Sequence, residues 1–226
     1  MAITYRALSR LLSYPSPQLQ AEAQYLISAI SDEGLIPAKI VKSLGRLSRK
    51  LEHEDIYELQ TEYTDLFDRS RTLSLHLYEH VHGESRERGP AMVGLVELYK
   101  AHGLVMDIND LPDHLPVFLE FLSIVDNEKA SSLIGEAAHV IEAIGERLHK
   151  RQSPYRAIFG ALTALSDRPA DKAALADILA MPEDDPDDLE ALDRNWEEEA
   201  VTFGPGTPSD GCPKAAAMVA GMQVDG

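Results

Sequence analysis

The sequence predicts an all-α protein: a single-domain helical bundle of about nine helices with a flexible C-terminal tail. Three observations predict it. Apolar residues recur at three- and four-residue spacing along most of the chain. Strand signals are nearly absent: β-branched apolar residues run no further than pairs such as Ile124-Val125, and Asp-Gly pairs occur only at Asp210-Gly211 and Asp225-Gly226. The 226 residues, 44% of them apolar, suffice to bury a core.

The elements follow in order. Tyr5, Leu8 and Leu12 share one helical face, and Pro15 and Pro17 end that segment. Leu19, Ala23, Leu26, Ile27 and Ile30 form the second stripe, closed by Gly34 and Pro37. Ile40, Leu44, Leu47 and Leu51 form the third; Ile56, Leu59, Tyr63, Leu66 and Phe67 form the fourth. A short helix carries His76 and His80. Met92, Leu95, Val96 and Tyr99 resume the period until Gly103. Leu115, Phe118, Leu119, Leu122 and Val125 follow the "LPDHLP" stretch. One long helix is expected through Ile134, Ala137, Ile141, Ile144 and Leu148, and a last strong one through Tyr155, Ile158, Phe159, Leu162 and Leu165. The predicted organisation is a helical domain over 1–181 and an acidic segment over 182–203, with room for a short helix at Leu189 to Trp196. Residues 204–226 are rich in Gly, Pro and Ala, with too little apolar surface to offset ordering entropy, so a disordered tail is expected there.

Charge narrows the function classes. Lys plus Arg number 21 against 38 Asp plus Glu, a net charge of −17. Such a chain repels nucleic acid and anionic membranes and attracts a basic partner such as an arginine-bearing peptide. Cys212 is the only cysteine, which excludes an internal disulfide and multi-cysteine metal sites. No apolar run is long enough to span a bilayer, and Arg6 and Arg10 interrupt any signal-like pattern at the start. A cytoplasmic protein without membrane insertion is the expectation. No Gly-rich phosphate loop appears, and no bound cofactor is expected.

Three stretches carry candidate chemistry. In "HLYEHVHGESRERG", His76, Glu79 and His80 match H-x-x-E-H, the inverted zinc-peptidase pattern. On one helix face, two imidazoles and a later Glu142 or Glu146 would hold zinc, with Glu79 as general base; a zinc-dependent hydrolase is thus the alternative function. The bland reading is a helix end, where His80 and His82, partly charged, precede Gly83 and favour the helix dipole. Short patterns recur by chance, so the bland reading prevails and a metal-free protein is expected. In "LPDHLP", Pro112 and Pro116 stiffen a loop that presents Asp113 and His114; alternatively Asp113 simply N-caps the helix that follows. In "ELQTEYTDLFDRSR", Tyr63, Leu66 and Phe67 read as core, and Glu62, Asp65 and Asp68 as a solvated face.

Taken together, "YRALSRLLSYPSP", "EYTDLFDRSRTLSLHLYEHVHGESRERGPAMVGLVELY", "LPDHLPVFLEFL" and "WEEEAVTFG" resemble the delta-subunit (NarJ-type) assembly chaperones of respiratory nitrate reductase, within the TorD/DmsD superfamily of molybdoenzyme chaperones. The resemblance runs from Tyr5 to about Gly204. It implies an all-helical cytoplasmic chaperone and no enzyme. It further implies binding of the twin-arginine-like N-terminal peptide of the apo catalytic subunit, which is held competent for molybdenum cofactor insertion. Proteins that deliver the cofactor are implied as further partners. The superfamily's peptide-site motifs fall on Asp113 and His114 and on Tyr63, Leu66 and Phe67; His76, Glu79 and His80 belong to the stretch particular to the nitrate reductase branch. Peptide binding by these eight residues is therefore the expectation. The Gly- and Ala-rich stretch after Gly204 departs from the resemblance.

Overall fold

The computed structural model describes residues 2–82, 87–107 and 110–181. These form an all-α fold without strands among the described residues: α1 Ile3–Leu11, α2 Pro17–Glu33, α3 Ala38–His53, α4 Ile56–Phe67, a 3₁₀ turn Arg71–Leu73, α5 Leu77–His82, α6 Arg88–Ala101, α7 Leu115–Ile124, α8 Asn127–Glu136, α9 Ala138–Lys150, α10 Arg156–Leu165 and α11 Lys172–Ala180. No helix among the described residues is long and apolar enough to cross a membrane. The acidic segment and tail predicted beyond residue 181 lie outside the described residues.

Among the described residues eleven helices stand where about nine are predicted, and two differences account for the change. The long helix expected through Ile134 and Leu148 is two, α8 and α9, joined at Ala137, whose φ of −93° and ψ of 5° leave the helical path. The apolar stripe continues across the joint, so periodicity alone does not show it. Just before the joint, Gly135 lies against the side chains of Asp167 and Arg168 that follow α10, which an added Cβ would have to displace. The second difference is α11, whose Asp171 side chain accepts from the Ala173 and Ala174 N–H groups and caps a helix with a single buried residue, Ile178.

Helix ends follow local chemistry. Ser16 caps α2, with Pro17 at its first position, and Gly34 ends it at a φ of 70° that only glycine adopts cheaply. Asp55 and Asp126 cap α4 and α8. The start of α1 has no cap of its own; Glu33, at the far end of α2, accepts from Ile3 N–H (2.9 Å) and Thr4 N–H (2.6 Å). Packing is mostly between neighbours: α2 on α1 and α3, α1 on α7, and α9 on α10 and α11, with α3 closing onto α10. The predicted stripes supply the core, including Tyr5, Leu8, Leu12, Leu44, Leu51, Phe118, Leu119, Ile141, Ile144 and Phe159. A buried cation ties elements together: Arg147 of α9, 1% exposed, donates from Nη1 to Thr72 O (2.9 Å) and from Nη2 to Ile178 O (2.6 Å). It fastens the 3₁₀ turn and α11 to α9.

Candidate functional site

The two tempting stretches meet. His76 and His114 form an isolated antiparallel bridge, in which Leu77 N–H donates to Asp113 O (3.0 Å) and Leu115 N–H donates to Leu75 O (2.8 Å). Tyr99 anchors the loop: its hydroxyl donates to Pro112 O (2.6 Å) while its ring packs on Phe121.

Asp113 lies at the centre of this junction and is 0% exposed. Its Oδ1 takes the His76 Nδ1 at 3.2 Å and its Oδ2 accepts from Tyr78 N–H at 3.2 Å. The Arg88 Nη2 sits 3.8 Å from Oδ2 and 3.3 Å from the Glu79 carboxylate. The expected capping of the following helix is thus corrected. The N-cap of α7 is His114, with no side-chain bond, and Asp113 instead caps α5, 35 residues back in sequence. In the free protein the carboxylate is fully covered and both oxygens are engaged.

The histidines divide. His76 precedes α5 rather than riding on its face, which corrects the shared-face expectation. The hydrogen bond to Asp113 raises its pKa, against burial. Burial lifts the Asp113 carboxyl, but the bond and charge of His76, the Tyr78 N–H and Arg88 outweigh it and hold the pKa below the ordinary carboxylate range. His80 is buried, and its Nε2 donates to Ser74 O at 2.8 Å. Burial lowers its pKa, so it stays neutral and serves no helix dipole as a cation, correcting that reading too.

The zinc-hydrolase geometry does not form. The His76 and His80 nitrogens turn to different partners. Glu142 and Glu146 line a separate cavity of about 650 Å³ between α3, α9 and α10, with Ile40 and Phe159. Among the described residues no three His, Cys, Asp or Glu side chains converge as a metal site.

His114 stacks beside His76, with ring centroids 5.1 Å apart. Burial, aided by the neighbouring His76, pushes its pKa down to about 4. A base with a depressed folded pKa takes up its proton only in the unfolded chain, so it favours unfolding as pH falls below its ordinary 6.5. His114→Gln removes that term. Between pH 7 and pH 5 the wild type is expected to lose roughly 2 kcal/mol of stability relative to this variant. Urea melts at the two pH values check it; parallel losses would refute it.

Tyr63 and Phe67 belong to a second cluster. Tyr63 donates to Leu12 O (2.9 Å) and meets Tyr14, Phe67 and Tyr155 edge-on. Both are buried, as the core reading requires. Leu66 borders a hollow of about 560 Å³ lined also by Tyr57, Glu58, Glu62, Asp65 and Arg151. Two carboxylates of the solvated face are paired, Glu62 with Lys50 (2.6 Å) and Asp65 with Arg69 (2.8 Å).

Sequence reasoning missed Arg88. With Glu79, His80, Val81, Arg71, Thr72 and Met181 it walls a cavity of about 380 Å³ beside the junction. The only signal was its place in the arginine-bearing "ESRERG" run, where no local rule gives it a partner.

Comparison with known proteins agrees with this fold and stretch. Residues 33–161, more than half of the chain, match the family described as nitrate reductase delta subunit. The chain is similar to the nitrate reductase molybdenum cofactor assembly chaperone NarJ of Escherichia coli K12, 39% identical over 87% of this chain and 83% of the relative. It is also similar to a Bacillus subtilis protein named Probable nitrate reductase molybdenum cofactor assembly chaperone NarJ, 30% identical over 72% of this chain and 87% of that one. Among solved structures, a redox enzyme maturation protein from Archaeoglobus fulgidus superposes with a TM-score of 0.52 at 25% identity, covering 72% of this chain and 91% of that one.

Proposed function

This chain belongs to the nitrate reductase delta subunit family, and on that premise we propose that it binds the twin-arginine-like N-terminal peptide of the apo catalytic subunit in the cytoplasm. It is a nitrate reductase molybdenum cofactor assembly chaperone and not an enzyme, and its partners are nitrate reductase subunits. The observation that carries the reading is 39% identity spread over 87% of the chain.

The physical chemistry supports a basic peptide as the client. A net charge of −17 speeds encounter with a cationic segment and weakens contact as salt rises. At the junction, His76, Glu79 and His114 keep partial exposure and are the groups assigned to client contact. Asp113 and His80 are buried and hold the junction in the free protein; Tyr63 and Phe67 are buried in the second cluster, and Leu66 shapes its neighbouring hollow. Contact with cofactor-delivery proteins is part of the same proposal.

Calorimetric titration with a synthetic N-terminal peptide of a nitrate reductase catalytic subunit tests it. Saturable binding that weakens between low and moderate salt is expected. No heat and no competition at low salt would remove peptide capture from the reading while leaving family membership untouched.

A further inference from the structure

We propose that Arg88 is an internal stand-in for a client arginine: in the free protein its guanidinium occupies the Glu79–Asp113 niche that a client guanidinium takes on binding. The proposal rests on the peptide-binding reading above.

Geometry supplies the first argument. Arg88 Nη2 lies 3.3 Å from Glu79 Oε1 and 3.8 Å from Asp113 Oδ2, a stretched approach to two carboxylates rather than a tight bidentate pair. Arg88 and Glu79 remain 28% and 35% exposed, so the niche is reachable from solvent. The cavity that both residues wall, with Val81 and Met181 as its apolar side, gives an incoming segment room next to the charge.

The second argument is how α6 is held. Only Tyr99, near its C-terminal end, is buried; Met92, Leu95 and Val96 are half-buried and Val93 is 58% exposed. Among the described residues, the polar tethers of α6 include Arg88 at one end and Tyr99 at the other. A helix covered this sparsely forfeits little packing when its first turn lets go.

The third argument is chemical likeness. The sequence sets Arg86 and Arg88 just ahead of Gly89-Pro90 and the apolar stretch Ala91 to Val96. Closely spaced arginines are also the feature of the proposed twin-arginine-like client. The protein thus carries, next to the niche, a segment of the type it is read to capture. Exchange replaces one guanidinium by another on the same carboxylates, so neither Glu79 nor buried Asp113 is left uncompensated at any stage.

A client must then compete with Arg88, and removing Arg88 strengthens binding. A merely structural Arg88 predicts the opposite. Calorimetry at low salt with the synthetic N-terminal peptide reads it for wild type, Arg88→Ala, Arg88→Lys and Glu79→Gln. Arg88→Ala is expected to bind roughly threefold tighter or more, the scale of one part-exposed ion pair. Arg88→Lys should return toward wild type, and Glu79→Gln should bind more weakly. A peptide with its arginines replaced by glutamine should gain nothing from Arg88→Ala. Should Arg88→Ala melt early, Arg88→Gln, which keeps most of the stem over Glu79, gives the same reading. Unchanged or weaker affinity in Arg88→Ala and Arg88→Gln, with wild type binding, overturns the proposal alone. Absence of wild-type binding overturns the client reading instead.

Discussion

Arg147→Ala is expected to lower the unfolding free energy by about 3–5 kcal/mol, the range for breaking a buried charged hydrogen-bond set. The guanidinium is 1% exposed and donates to the carbonyls of Thr72 and Ile178. Truncation removes a charged donor from two carbonyls, of which Ile178 O keeps the Met181 N–H, and opens a cavity where the stem lay. Some of that is returned because a buried charge disappears with the side chain. At this chain length the loss corresponds to a fall in Tm of roughly 10 °C. Damage should be local first: the 3₁₀ turn Arg71–Leu73 and α11 lose their fastening to α9. Hydrogen exchange should show α11 amides opening while α1 to α3 stay protected. A Tm within 2 °C of wild type, as an order of magnitude for measurement scatter, would mean that Arg147 is dispensable to the fold.

Asp113→Ala comes next, with an expected cost of about 2–4 kcal/mol near pH 5.5. It uncaps Tyr78 N–H and strips His76 and Arg88 of their shared carboxylate. The pH dependence is specific. The Asp113 pKa is lowered in the fold, so its contribution is present above the ordinary carboxylate value and is lost as pH falls through the lower folded one. The His76 pKa is raised, so its contribution is complete below its ordinary 6.5 and fades as pH rises through the folded value. The deficit of Asp113→Ala should therefore be largest between about pH 4 and pH 6.5 and smaller on both sides. Parallel stability curves for variant and wild type would show that the pair does not couple. Asp113→Asn, which keeps an acceptor for Tyr78 N–H, should lose less stability.

The helical stripes were legible because burying one face of a helix leaves a 3.6-residue signature in the sequence. Leu19 through Ile30, and Leu44 through Leu51, fall where that signature puts them. The turn at Ala137 was not legible, because Ile134 and Ile141 keep a core-facing rhythm on either side of it. Asp113 shows the sharper limit. Capping rules read forward along the chain and assign it to α7, whereas space assigns it to α5. Arg147 shows the same limit, since the α9 pattern places it between Ile144 and Leu148 without saying which carbonyls await it. Arg88 had no local partner to announce it. Where a residue's partner lies within four positions, the sequence discloses the pairing; at 35 positions, as for Asp113 and Tyr78, only the fold does.

That long reach bears on the order in which the chain is made. Residues 76–82 are made before residue 113, so until Asp113 is in place Tyr78 N–H lacks its capping carboxylate and α5, only six residues long, cannot persist on its own helix propensity. The pocket wall comes into being when Asp113 and the first turn of α7 arrive to close the bridge with Leu75 and Leu77. On the proposed peptide-binding reading, the nascent chain gains its client site only once its second half is under synthesis. A ribosome stalled before Leu111 should display the α1–α4 helices and yet retain no peptide.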